Sequence, residues 1–204
     1  TAIRRAWSCG RVRLQWGTRR ALELDLLVRN TANRYGLITK LLHWSIALLI
    51  IGLTALGAYM VDLSYYDRYA KVSLEVHKAL GVLVLELAII AVLWNSVGRT
   101  PGAPQGLQRW ERLAAKSIHL YLYTMMVMIP LTGYAISTSG GQPVSFFGVY
   151  EIPAWLPAIE NMNPLASQAH YYLAYVTIVL VVVHAGAALK HHFFNRDVTL
   201  KRML

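Results

Sequence analysis

The chain is short of charge, and shorter still of acid. Only 15% of its 204 residues are Asp, Glu, Lys or Arg, while 56% are hydrophobic. An ordinary soluble domain carries about 25% charged residues, so this apolar excess points to lipid rather than water as its surroundings. Cysteine is almost missing: Cys9 is the single one. That excludes an internal disulfide and the CxxCH attachment of a prosthetic group, leaving ligation as the means of holding one. Ten acidic residues stand against twenty basic ones, for a formal charge of +10. Spread over a soluble surface, this balance would suit nucleic acid. Here the basic residues fall between long apolar runs, where they read as topology signals, and no nucleic-acid partner is expected. The first 30 residues are arginine-rich without a continuous apolar stretch. They read as a basic tail of unassigned role rather than a cleavable signal peptide, leaving residues 31–204 as one domain.

A bilayer core needs about 20 apolar residues in a helix. Four segments qualify: 41–61, 76–97, 113–136 and 170–189. GRTPGAPQG at 98–106 and GGQP at 140–143 punctuate them. The expected fold is an all-α, integral membrane four-helix bundle. Nine Lys/Arg precede or include Lys40, four lie at 98–116 and four lie from Lys190 onward, 17 of the 20 in all. The first connector holds Arg68, Lys71 and Lys78 among acidic neighbours, and the third has no basic residue. The positive-inside rule then places both termini and the second connector in the cytoplasm. The first and third connectors face the periplasm of a bacterial inner membrane.

Seven histidines are present, all in or beside the spans. Ionisable groups inside spans are costly and usually functional. His184 lies 14 residues after His170, about 21 Å deeper and close to four whole turns, so both share one face of the fourth helix. By depth His43 matches His184 at the cytoplasmic level, and His77 matches His170 at the periplasmic level. Each pair comes from two helices, as bis-imidazole ligation of a haem requires. Two such sites make an electron path across the bilayer. Zinc would ask for four ligands at one depth, and these split into two levels. Gly81 and the AGAA run at 185–188 offer room for a flat macrocycle.

LLHW in the first span, VHKALG in the second, IHLYLY…IPLTGY in the third and HYYLAYVTIVLVVVHAGAALKHHF in the fourth resemble the bacterial cytochrome b561 family of di-haem membrane cytochromes. The resemblance covers residues 31–204. It implies two haems b with axial ligands at His43, His77, His170 and His184, the four that depth alone selects. HAGAALKHHFFNRDVTLKRM is similar to the superoxide-oxidising members of that family. This implies oxidation of periplasmic superoxide to O2 with ubiquinone as electron acceptor. It also carries over to His191 a role as quinone partner and proton donor, suited to a side chain that titrates in the useful range. An interfacial anchor beside Lys190 and His192 is the plainer role for His191.

The remaining polar residues divide by place. Lys78 adjoins the ligand candidate His77 and, with Lys71 and Arg68, forms a cationic mouth that would steer an anion; a solvated loop is the alternative. His119 opens the third span and could line the quinone pocket or replace a ligand. Tyr65, Tyr66 and Tyr69 read as interfacial aromatics. Glu86 falls near mid-bilayer, off the haem face, and asks for a partner in the bundle or in another subunit. The competing function is a haem-bearing anchor subunit relaying electrons between quinone and a partner dehydrogenase or hydrogenase; a cytochrome with some other periplasmic donor is the third. The lipid bilayer is the one certain partner, and a homo-oligomer or a partner redox subunit stays open.

Overall fold

The computed structural model describes residues 27–204 apart from 105 and 158; most of the basic tail, with Cys9, lies outside the described residues. Four helices account for nearly everything: α1 Leu37–Val61, α2 Ala70–Val97, α3 Arg109–Thr138 and α4 Met162–Phe193. All four are long and apolar enough to cross a membrane. Each contains its expected span and runs past it. The extra turns are polar or interfacial, so hydropathy passes over them, yet local bonding holds them helical. The start of α3 shows how: Gln108 and Glu111 form a capping box around its first turn.

The helices run up and down in sequence. Each packs on the next, and α4 touches α1 to close the bundle. The buried face of α2 is lined by small residues, with Val84, Ala88 and Ala91 all buried. Small side chains let helix backbones approach closely in a lipid-embedded bundle, where tight packing replaces the hydrophobic drive of water. The outer surface is the reverse: Leu48, Val61, Leu93, Val179 and Val182 are all exposed. That surface suits a multi-pass inner-membrane protein.

The end of the bundle bearing the described part of the N-terminal segment and the C-terminus is tied by polar bonds. Asn30 Oδ1 accepts from the Gly36 backbone N–H at 2.9 Å and from the Thr39 hydroxyl at 2.7 Å. The Trp94 indole of α2 donates to Thr39 Oγ1 at 3.1 Å. The C-terminal tail folds back: Trp44 donates to the Met203 carbonyl at 2.8 Å, and Arg202 donates to the Gly102 carbonyl at 2.6 Å.

At the opposite end the third connector forms a hairpin, β1 Val144–Phe146 and β2 Tyr150–Ile152, paired antiparallel. Phe147 (φ 48°) and Gly148 (φ 72°) are the central residues of the turn in its three-residue loop, closed by the Val149 N–H to the Phe146 carbonyl at 2.9 Å. Positive φ at both central positions gives the twist that suits a tight hairpin. β1 packs on α2 and α3, with Val144 buried. Tyr150 donates its hydroxyl proton to Glu86 at 2.5 Å, which raises the phenol above its ordinary value. Glu86 lies nine residues beyond His77 along α2, about 13 Å further in at the helical rise. The hairpin is therefore folded back along the bundle. The partner that Glu86 called for is a phenol of its own chain.

Gly36 sets the tightest backbone approach at the tied end. A Cβ there would sit 2.3 Å from the Val28 carbonyl oxygen and 2.4 Å from the Arg29 carbonyl carbon. Backbone cannot swing aside as a side-chain tip can. Gly36→Ala is expected to lower stability by about 1–3 kcal/mol. Gly52→Ala, where nothing lies within 4 Å, should leave it nearly unchanged. Thermal unfolding in detergent followed by circular dichroism compares the two; equal midpoints would show the junction to be slack.

Candidate functional site

The bundle brings the histidines of different helices face to face. The rings of His43 on α1 and His184 on α4 have centroids 6.2 Å apart, inclined at 58°. Those of His77 on α2 and His170 on α4 are also 6.2 Å apart, inclined at 69°. An atom bound by two imidazoles at about 2 Å per bond, with each ring centre about 1 Å behind its nitrogen, separates the centres by about 6 Å. Both pairs are set at that spacing.

The surroundings of the His77–His170 pair fit the same group. His170 Nδ1–H donates to the Ile129 carbonyl at 3.0 Å, and Thr132 Oγ1 lies 3.0 Å from the same nitrogen. A ligating histidine usually donates its other ring N–H in this way, which leaves Nε2 free for a metal. His77 Nδ1 is buried with no partner among the described residues. Two glycines leave space against the rings: a Cβ on Gly57 would come within 3.3 Å of His77 Cε1, and one on Gly133 within 3.3 Å of His170 Cε1. Each pair offers two donors. That suits iron in a macrocycle that brings four donors of its own. It does not suit a four-coordinate zinc, and no group of three or more His, Cys, Asp or Glu among the described residues is arranged to hold a metal ion. Gly81, expected as a seat for the macrocycle, has nothing within 4 Å of its would-be Cβ. Gly57 and Gly133 are the close approaches that the sequence did not single out.

A third imidazole joins the His43–His184 pair. His119 on α3 lies edge-on to His184 with centroids 5.1 Å apart. Its Nδ1–H donates to the Ala115 carbonyl one turn back at 2.7 Å. One nitrogen is therefore taken by its own helix.

Beyond that level, at the end with the C-terminus, a cavity of about 150 Å³ is lined by Gly106, Leu107, Glu111, His191, Asn195 and Asp197. His191 is 9% exposed and faces Asp197, with Nδ1 and Oδ2 2.7 Å apart. Burial pushes the Asp197 carboxyl up, but hydrogen bonding from Thr199 and His191 outweighs this and holds it below its ordinary range. Glu111 is ion-paired across α3 and α4 with Lys190 at 3.0 Å. Sequence reasoning found His191 but not Asp197. The signal was Asp-Val-Thr just past the helix: the Thr199 N–H donates to Asp197 Oδ1 at 2.8 Å, a turn in which Asp bonds backbone two residues on.

At the hairpin end the three cations differ. Arg68 stacks over the Tyr69 ring at 4.4 Å, and Lys71 lies 3.9 Å from Glu75. Lys78 is half-buried on α2 beside His77.

Comparison with known proteins fits this arrangement. The family described as "Prokaryotic cytochrome b561" matches residues 34–204. The chain belongs to that family. Its members bind haem b and carry electrons in the membrane. "Cytochrome b561 homolog 2" of Escherichia coli (strain K12) is 42% identical over 175 residues, 86% of this chain and 93% of that protein. "Cytochrome b561 homolog 1" of the same organism is 30% identical over 84% of this chain and 97% of its own length. A "Probable superoxide oxidase CybB" of Yersinia pestis is 27% identical over 80% of this chain and 91% of its own length.

The two glycine contacts give a test of the ring positions. Gly57→Val and Gly133→Val would each push a side chain into one ring of the His77–His170 pair. Each is expected to lower the haem bound per chain, by about half if each histidine pair holds one. Pyridine haemochrome assay on purified protein measures this. Haem content equal to wild type in both variants would mean that the glycines do not set the rings.

Proposed function

We propose that this cytochrome carries two haems b and oxidises superoxide at the hairpin end while reducing ubiquinone at the other. The observation that carries the reading is the pair of matched imidazole spacings at two depths. His77 and His170 would hold one haem, His43 and His184 the other, and together the haems supply one-electron transfer across the bilayer. The distribution of Lys and Arg supports placing the hairpin end in the periplasm and both termini in the cytoplasm.

The chain's own residues divide the rest of the work. Superoxide is an anion, and Lys78 gives it a positive target beside the outer pair. Arg68 and Lys71, partly engaged by Tyr69 and Glu75, add weaker attraction. Two superoxides each lose one electron to become O2, a change that needs no proton. The quinone takes those two electrons and two protons to become quinol. His191, in a cavity two helical turns beyond His184, supplies a titratable group where protons are consumed. The relative named as a superoxide oxidase supports the donor.

Stopped-flow mixing of oxidised protein with pulsed superoxide tests this. Haem reduction is expected at near-diffusional rates, and added ubiquinone should reoxidise the haem. Lys78→Glu is expected to slow the superoxide step about tenfold and to flatten its dependence on ionic strength. Ala at any one of His43, His77, His170 or His184 should lose one haem and keep the other. A haem that superoxide does not reduce would point instead to electron relay from some other donor.

A further inference from the structure

We propose that Asp197 is a positioning residue for His191: its carboxylate takes the Nδ1–H of the imidazole and leaves Nε2 as the one ring nitrogen able to trade a proton with a quinone in the adjoining cavity. The inference rests on the reading of this end as the quinone site. Its support is geometric. Nδ1 and Oδ2 are 2.7 Å apart in a nearly buried pair. A bare nitrogen facing an ionised carboxylate would set two lone pairs against each other, so the proton sits on Nδ1. The Asn195 amide nitrogen, 3.1 Å from Nδ1, is the longer contact.

Asp197 is itself held from two sides. Its Oδ1 accepts the Thr199 N–H at 2.8 Å, and its own N–H donates to the His191 carbonyl at 3.1 Å. His191 and Asp197 are thus joined twice, through backbone and side chain. The tail that carries Asp197 is pinned further on by Trp44 and Arg202. Asp197 and Asn195 face the ring from the tail. Glu111 of α3 approaches the same cavity, but it is already paired with Lys190 of α4. Asp197 is therefore the carboxylate bonded to His191. His191 Nε2 makes no hydrogen bond among the described residues.

The proton step follows from this arrangement. As the quinone gains two electrons, delivered from superoxide, each carbonyl oxygen gains one proton. At one oxygen the Nε2–H bond of a protonated His191 breaks and an O–H bond forms, and the other oxygen takes its proton from solvent water. The ring is left neutral, with its remaining proton on Nδ1 toward Asp197, and water restores the lost one. Asp197 fixes the tautomer that is left after transfer.

Asp197→Asn in the full-length, haem-loaded protein tests the proposal. In ¹⁵N NMR of histidine side chains, with the His191 signal identified by its loss in His191→Gln, wild type should show protonation at Nδ1. Asp197→Asn should show mixed or Nε2 protonation, and Asp197→Glu should restore the wild-type pattern. With a short-chain ubiquinone as acceptor, Asp197→Asn should lower kcat about tenfold with KM changed less than about threefold. Haem content and melting temperature should stay near wild type. Should Asp197→Asn not fold, Asp197→Glu carries the test, and loss of Nδ1 protonation in it would overturn the proposal. An unchanged tautomer in Asp197→Asn would also overturn it and leave the residue a merely structural one. If wild type reduces no ubiquinone, the quinone reading fails, and the NMR result alone decides whether Asp197 positions the ring.

Discussion

Two imidazoles facing each other across 6.2 Å, repeated at two depths, are the constraint that the rest of this bundle answers to. At that spacing the rings are too far apart to hydrogen-bond each other and too deep to be served freely by water. A polar atom left unpaired in a lipid-embedded bundle costs several kcal/mol. The surroundings of the His77–His170 pair leave room for a group held between the rings. Ile129 takes the outer nitrogen of His170. Gly57 and Gly133 give up side chains where a methyl group would press on a ring. Away from the rings, α2 packs as an ordinary core element, with Val84, Ala88 and Ala91 turned inward.

The hairpin belongs to the same economy of polar groups. Tyr150 meets Glu86 well inside the length of α2. An acid at such a depth has little access to water, and a phenol can hydrogen-bond it without adding a second charge. The hairpin that delivers the phenol must satisfy its own backbone where water is scarce. Antiparallel pairing of Val144–Phe146 with Tyr150–Ile152 does so. Phe147 and Val149 at the tip are exposed, which suits a lipid-facing loop far better than a solvated one.

The four helices, their order and the histidine neighbours were legible because two regularities suffice. Hydropathy marks a span, and a rise of about 1.5 Å per residue converts position into depth. Those rules place His43 level with His184 and His77 level with His170 before any packing is known. What they cannot give is lateral contact. Which glycine meets which ring depends on helix rotation, so Gly57 and Gly133 were invisible. The hairpin was hidden because its turn lacks the usual Asn-Gly; Phe147 adopts the positive φ instead. Asp197 was hidden because an acid among tail residues looks solvated until the chain folds back on His191.

The two ends differ in a way that follows the chemistry proposed for them. At the hairpin end the cations near His77 stand on the surface or half-buried, and Lys78 is bonded to no acid among the described residues. Such a charge can draw in an anion and let a neutral product leave, and nothing more is needed where an electron moves without a proton. At the other end the charges come in pairs, Lys190 with Glu111 and His191 with Asp197. Pairing cancels long-range attraction, which would be wasted on an uncharged quinone. It also fixes where a proton can sit, because a carboxylate bonded to one ring nitrogen leaves only the other to exchange a proton. On the proposed reading, a cation free to attract an anion lies at one end and a paired imidazole able to pass a proton at the other, with the two matched imidazole pairs between them.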